Sequence, residues 1–445
     1  MAGPSTDRAT APADVSRAGP LPPAGAGAGT GAAGAANAPG PAAAAVPAGI
    51  GLYMAAVQLL FALGWITYAL YLPELARQVG LEPRWVPWIL ALDQLIFIVT
   101  DLVVGVWSDK AAAVQGRVAR AVLGVTLLSA GAFLALPWVA PQGSPALFLA
   151  VTVLWAVTSS VLRAPPLTLL GRYVAKPAQP AMVALLALGL GLANAASPYL
   201  GLALKGVDPR LPFLVSALAL AAVTLGMAAA ERSLVRQREA AMAAGGATSA
   251  PQPAPAGLPP AGGLFLVAVL LAAGSFQVHV FLSSGPLYRA AGGGDQIAHL
   301  MPVFWVGFNL ALWPAARWIK RTGAPLALAH GAVAGALGVA ATHAAPSVPW
   351  LVAAQALAGA AWAVMLCSAF IGALRFGATG REGFFNGSLQ SLLATAALSR
   401  LMVVVWVAPT PAQLVGWAGL PALTFALAAL LVVAGLARLR GWPAP

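Results

Sequence analysis

Twelve apolar runs, each long enough to cross about 30 Å of hydrocarbon, take up nearly all of this chain beyond residue 50. They fall at roughly 50–73, 85–107, 121–140, 146–170, 181–203 and 212–230, and then at 263–286, 296–318, 325–344, 348–374, 385–407 and 413–437. Only 8% of the residues are charged and 60% are apolar, whereas a soluble domain carries roughly a quarter charged residues. Such a chain cannot cover its own surface in water. In a bilayer each segment must satisfy its backbone internally, which a spanning helix does. The expectation is an all-α membrane protein with the lipid bilayer as its first partner.

The spans divide six and six about a break at 231–262, which opens with Glu231, Arg232, Arg236, Arg238 and Glu239 and then turns Ala/Gly/Pro-rich. That composition reads as a solvated linker, between bundles at 49–230 and 263–437. Residues 1–48 are Ala, Gly and Pro with few charges, and 438–445 form a short end; the long N-terminal stretch reads as a disordered tail. Arg77, Arg84, Lys205, Arg210 and Arg289 lie on one side of the membrane, while all other Lys and Arg outside the spans lie on the other. The positive-inside rule then places both termini and the linker in the cytoplasm, with the chain in the cytoplasmic (inner) membrane.

The net charge of +12 is spread over short loops, so it indicates orientation and not a nucleic-acid partner. Cys367, the one cysteine, lies within an apolar run and excludes an internal disulfide framework or a Cys-rich metal site. No P-loop, His/carboxylate metal cluster or Ser/His/Asp arrangement stands out. The chain therefore reads as no enzyme, with no metal and no cofactor, and any pumping has to draw on a gradient.

The end of the second span carries the most specific signal: Asp101-Leu-Val-Val-Gly105-Val-Trp-Ser-Asp109-Lys110, continuing to Gly116-Arg117. This resembles the loop motif of the major facilitator superfamily, and its spacing is similar to that of the glycoside–pentoside–hexuronide cation symporters and plant sucrose transporters. A worn copy, Ala316-x-x-x-Lys320-Arg321-x-Gly323, follows span 8, as two related six-helix repeats would require. Physically, Gly105 permits close helix approach, and Asp109 can accept from helix N-terminal amides as a cytoplasmic gate, with Lys110, Gly116 and Arg117 beside it. The stretch Arg163-Ala-Pro-Pro…Gly-Arg172-Tyr is similar to the sucrose-transporter branch, although Arg172 stands where that branch has an acid. The resemblance implies a secondary transporter of a small-molecule substrate, with a sugar or glycoside as the leading candidate, coupled to a proton or cation. An exporter of drugs or metabolites, and a non-transporting assembly factor for a pigment complex, are the alternatives.

Four ionisable residues lie within spans: Asp93, Asp101, Arg163 and Arg400. Charges there are expensive and therefore functional by default. Asp93 and Arg400 share one depth, and Asp101 and Arg163 another. The facilitator fold implies that span 2 packs against spans 4 and 11, so the expected pairs are Asp101–Arg163 and Asp93–Arg400. Static pairing, ion coupling and contact of Arg400 with an anionic substrate all stay open.

The same resemblance makes spans 1, 4, 7 and 10 line a central cavity. Candidate substrate contacts are Gln58, Trp65 and Tyr68 on span 1, Trp155 on span 4, Gln277 and His279 on span 7, and Gln355 and Trp362 on span 10. Trp305 and Asn309 on span 8 and Asn386 and Gln390 on span 11 complete the set. Amides and indoles suit a polar or amphipathic solute; interhelical bonding and interface anchoring are the structural alternatives.

Overall fold

The computed structural model describes residues 48–111, 117–163, 165–243, 260–377 and 380–438. The N-terminal tail before residue 48, most of the Ala/Gly/Pro part of the break and Gly116 lie outside them. Among the described residues there is no strand. Eleven helices are long and apolar enough to cross a membrane. The remaining span is shorter: helix Pro145–Val161 ends before the expected run does, and the chain resumes as Pro165–Tyr173. Two consecutive prolines explain the break. Neither can donate an N–H, and Pro disfavours helix in the residue before it. Tight turns close span 4, with Leu162 and Arg163 amides donating to the Ser159 and Ser160 carbonyls. Arg163 therefore sits at the break.

Span 7 departs from the expected uniform helix as well. Helix Pro260–Val278 widens into a π-helical turn, His279–Ser283, before Ser284–Ala290. At the break between halves, helix Met227–Ala243 continues from span 6 into the segment read as linker, and buries Leu234 against the bundle. Its alternation of apolar Leu234 with exposed Arg232 and Arg236 makes it a surface helix, not open linker, over that length.

The halves share one neighbour scheme. In the first, span 1 packs on 5 and 6, span 3 on 4 and 6, and span 2 on 4. In the second, span 7 packs on 11 and 12, span 9 on 10 and 12, and span 8 on 10. Adding six to each number converts one set into the other, which is the internal repetition of a duplicated six-helix unit. Two seams join the halves: span 2 (Val86–Ala111) on span 11 (Glu382–Trp406), and span 5 (Gln179–Ala203) on span 8 (Val303–Thr322). Leu218, Leu310, Leu423 and Leu430 are exposed on the outside of the bundle, a surface suited to lipid.

Candidate functional site

The seam between spans 2 and 11 is tightest where the linker end of the protein lies, at residues 105–111 and 380–387. Amides at a helix start have no intrahelical partner. Here the Asp109 carboxylate takes two of them: Oδ1 accepts from the Gly383 N–H at 2.6 Å and Oδ2 from Phe384 at 2.9 Å. A carboxylate at the positive end of a helix dipole adds a favourable charge term. Behind this cap Gly105 lies against Gly383 and Gly387, so that a Cβ on any of the three would run into backbone of the opposite helix. Further in, Ser391 Oγ donates to the Ile98 carbonyl at 2.7 Å. Gly383, Gly387 and Ser391 recur every fourth residue, a small-residue stripe that marks close helix packing. That stripe is visible in the sequence and was the missing pointer to this face.

Lys110 is exposed at the end of span 2, and Arg117 begins the helix of span 3. In the second copy, buried Ala316 is followed by exposed Lys320 and Arg321, and Gly323 turns the chain at φ 80°.

Asp101 and Arg163 lie 3.1 Å apart. Asp101 is fully buried, and the contact is one of charge more than of aligned hydrogen bonding. Arg163 also donates Nη2 to Gln390 Oε1 at 3.2 Å and lies 4.8 Å from the Phe97 ring. One guanidinium thus ties spans 2, 4 and 11, and with them both halves.

The expected Asp93–Arg400 pair does not form. Asp93, also fully buried, accepts from the Tyr68 hydroxyl at 2.9 Å inside the first half. Arg400 donates Nε to Gln277 Oε1 at 3.0 Å and lies 4.8 Å from the Phe281 ring in the second half. Equal depth sets position along a helix but not direction around it. Nine residues at about 100° each turn Arg400 roughly 180° from Ser391, which faces span 2. Asp93 is likewise about 120° from Gly105, twelve residues away.

Each half contains an aromatic cluster. In the first, Trp65 stacks on Trp155 at 5.6 Å, and Tyr68 lies 4.3 Å from Trp155. In the second, Trp362 stacks on Phe276 at 4.2 Å, with Trp305 edge-on at 5.8 Å. Gln58 is half-buried on span 1, and Asn386 is buried in span 11. Asn309 presses on Gly191 of span 5 at the second seam.

His279 and Gln355 bond each other, while His279 Nδ1 is buried without a partner. His279 Nε2 and Gln355 Oε1 are 3.0 Å apart, Gln355 Nε2 donates to Ser284 Oγ at 3.0 Å, and Ser284 Oγ donates to the His279 carbonyl at 2.8 Å. All three are buried, and the network closes on the π-helical turn through the His279 carbonyl. Gln355→Leu leaves the buried His279 ring without its hydrogen-bond partner, at about 1–3 kcal/mol, while Ser284 keeps its bond to the His279 carbonyl. We expect a lower unfolding midpoint in detergent for this variant, while Leu357→Ala, at an exposed position on the same span, serves as the control.

Comparison with known proteins bears on this arrangement. The model of the Major Facilitator Superfamily matches residues 54–399. No curated protein matches the chain. Among solved structures, the human organic anion transporter MFSD10 (TETRAN) is similar at 16% identity and a TM-score of 0.64, over 87% of this chain and 100% of that one. A bacterial homologue of the iron transporter ferroportin in its outward-facing state aligns at 13% identity and a TM-score of 0.66, over 87% and 99%. FucP, a transporter solved in the outward conformation, aligns at 13% identity and a TM-score of 0.59, over 86% and 97%. At these identities the likeness is one of fold.

Proposed function

The chain belongs to the Major Facilitator Superfamily, and from that premise we propose that it moves a small solute across the membrane by alternating access, coupled to a proton or another cation. The observation that carries this reading is the seam at the linker end. Its closure rests on a compact set of contacts, the Asp109 cap and the glycine-to-glycine packing behind it, which can part as one unit. Two rigid six-helix halves joined by such a latch have two packed arrangements, the requirement for switching access.

The charge bias of the loops orients the linker end to the cytoplasm, so on this reading the arrangement described is closed toward the cytoplasm. Asp93 is the coupling residue: its carboxylate is fully buried with the Tyr68 hydroxyl as its hydrogen-bond partner, and binding a proton there removes a buried charge. The motif at 101–117 favours a sugar or glycoside as the solute. An exporter would work by the same cycle run in the other direction.

The test is proton movement in proteoliposomes holding the full chain, with a solute chosen because it raises the unfolding temperature. Wild type is expected to couple solute entry to proton uptake. Asp93→Asn is expected to lose uphill accumulation while keeping exchange of solute down its gradient. Unaltered accumulation and pH dependence in that variant would remove Asp93 from the coupling step.

A further inference from the structure

The charges inside the spans do not all pair: Asp93 and Arg400 have no ionic partner among the described residues. Asp101 and Arg163 neutralise each other across spans 2 and 4. Asp93 is sealed in the first half with Tyr68. Arg400 forms no ion pair among the described residues; only its Nε is engaged, by Gln277 Oε1 at 3.0 Å. It is half-buried, so part of the guanidinium is open. A guanidinium set against hydrocarbon is costly, so its open nitrogens favour an anionic or polar partner. The two terminal nitrogens then present a planar fork, the geometry that holds a carboxylate in two parallel bonds.

Resting on the transporter reading, we infer that Arg400, steered by Gln277, holds an anionic group of the transported solute, a carboxylate or comparable oxyanion. The rings beside it define the rest of the ligand. Phe281, which is exposed, lies 4.8 Å from the guanidinium, with the buried rings of Phe276 and Trp362 packed behind it. An apolar or aromatic body attached to the anion fits this surface. Gln277 fixes the guanidinium through Nε and leaves the fork free, the arrangement expected of a preorganised receptor and not of a merely structural arginine.

The test is a thermal-shift panel on the purified full chain, using matched sets of benzoate, phenylacetate and gluconate with their amides and corresponding amines. Carboxylates are expected to stabilise wild type, with affinity at least tenfold weaker in Arg400→Gln and partly kept in Arg400→Lys, which retains the charge. Stabilisation by amides or amines alone, or by carboxylates equally in Arg400→Gln, overturns the assignment. So does a panel in which no carboxylate stabilises wild type. A neutral compound that binds and is carried into proteoliposomes removes the anion requirement but leaves the transporter reading standing.

Discussion

Removing one partner of the Asp101–Arg163 pair is expected to cost about 3–5 kcal/mol, because it leaves an uncompensated charge in the protein interior. Arg163→Gln should therefore unfold at a markedly lower denaturant midpoint in detergent. Asp101→Asn in the same chain should recover most of that loss, since an amide facing an amide carries no net charge and can still reach Gln390. The double variant distinguishes a charge effect from a packing effect. If the two single losses simply add, the pair is not an energetic unit and the 3.1 Å contact has little weight. Recovery of stability need not restore transport. Arg163 stands at the break in span 4 and touches Gln390 of the other half, so the double variant should fold and still turn over slowly.

The second large effect concerns the glycine seam. A side chain at Gly387 would meet the Asp101 carbonyl and the Gly105 Cα, and one at Gly105 would meet the Gly383 carbonyl. These neighbours are backbone and cannot rotate aside, so helices 2 and 11 must separate. Overpacking of this kind costs about 1–3 kcal/mol, and Gly387→Leu should fall at the upper end. It should also pry open the linker end, raising labelling of a cysteine placed at Ser108, which is buried in the seam. Gly131→Leu is the control, since nothing lies within 4 Å of a Cβ at that exposed site. Loss of stability without a gain in labelling would mean that the seam is static packing.

The layout of this fold is legible because hydrocarbon imposes length and apolarity on each segment; charge bias and the repeated loop motif add order to the count. The break in span 4 is written in Pro165-Pro166, and the cap at Asp109 in a carboxylate placed four residues beyond a small one. What spacing cannot supply is direction around a helix axis. Asp93 and Arg400 match in depth, yet they turn toward Tyr68 and Gln277 in different halves. The stripe Gly383, Gly387, Ser391 would have indicated which side of span 11 meets span 2, and so that Arg400 faces away. His279 and Gln355 illustrate a different limit. Two polar residues on different spans carry no mark of partnership in the sequence, and only the structure shows the 3.0 Å contact between them.

Alternating access is tested most directly by measuring both ends at once. Spin labels at Lys110→Cys and Arg321→Cys report the linker end, and labels at Arg84→Cys and Asp295→Cys report the other; all four sites are exposed, and the native Cys367 is buried. In Asp109→Asn, which weakens the cap on span 11, the linker-end distance should lengthen while the opposite distance shortens, and a stabilising solute should redistribute both populations. A single, unchanging distance at each end in wild type and variant alike, with and without solute, would contradict the account.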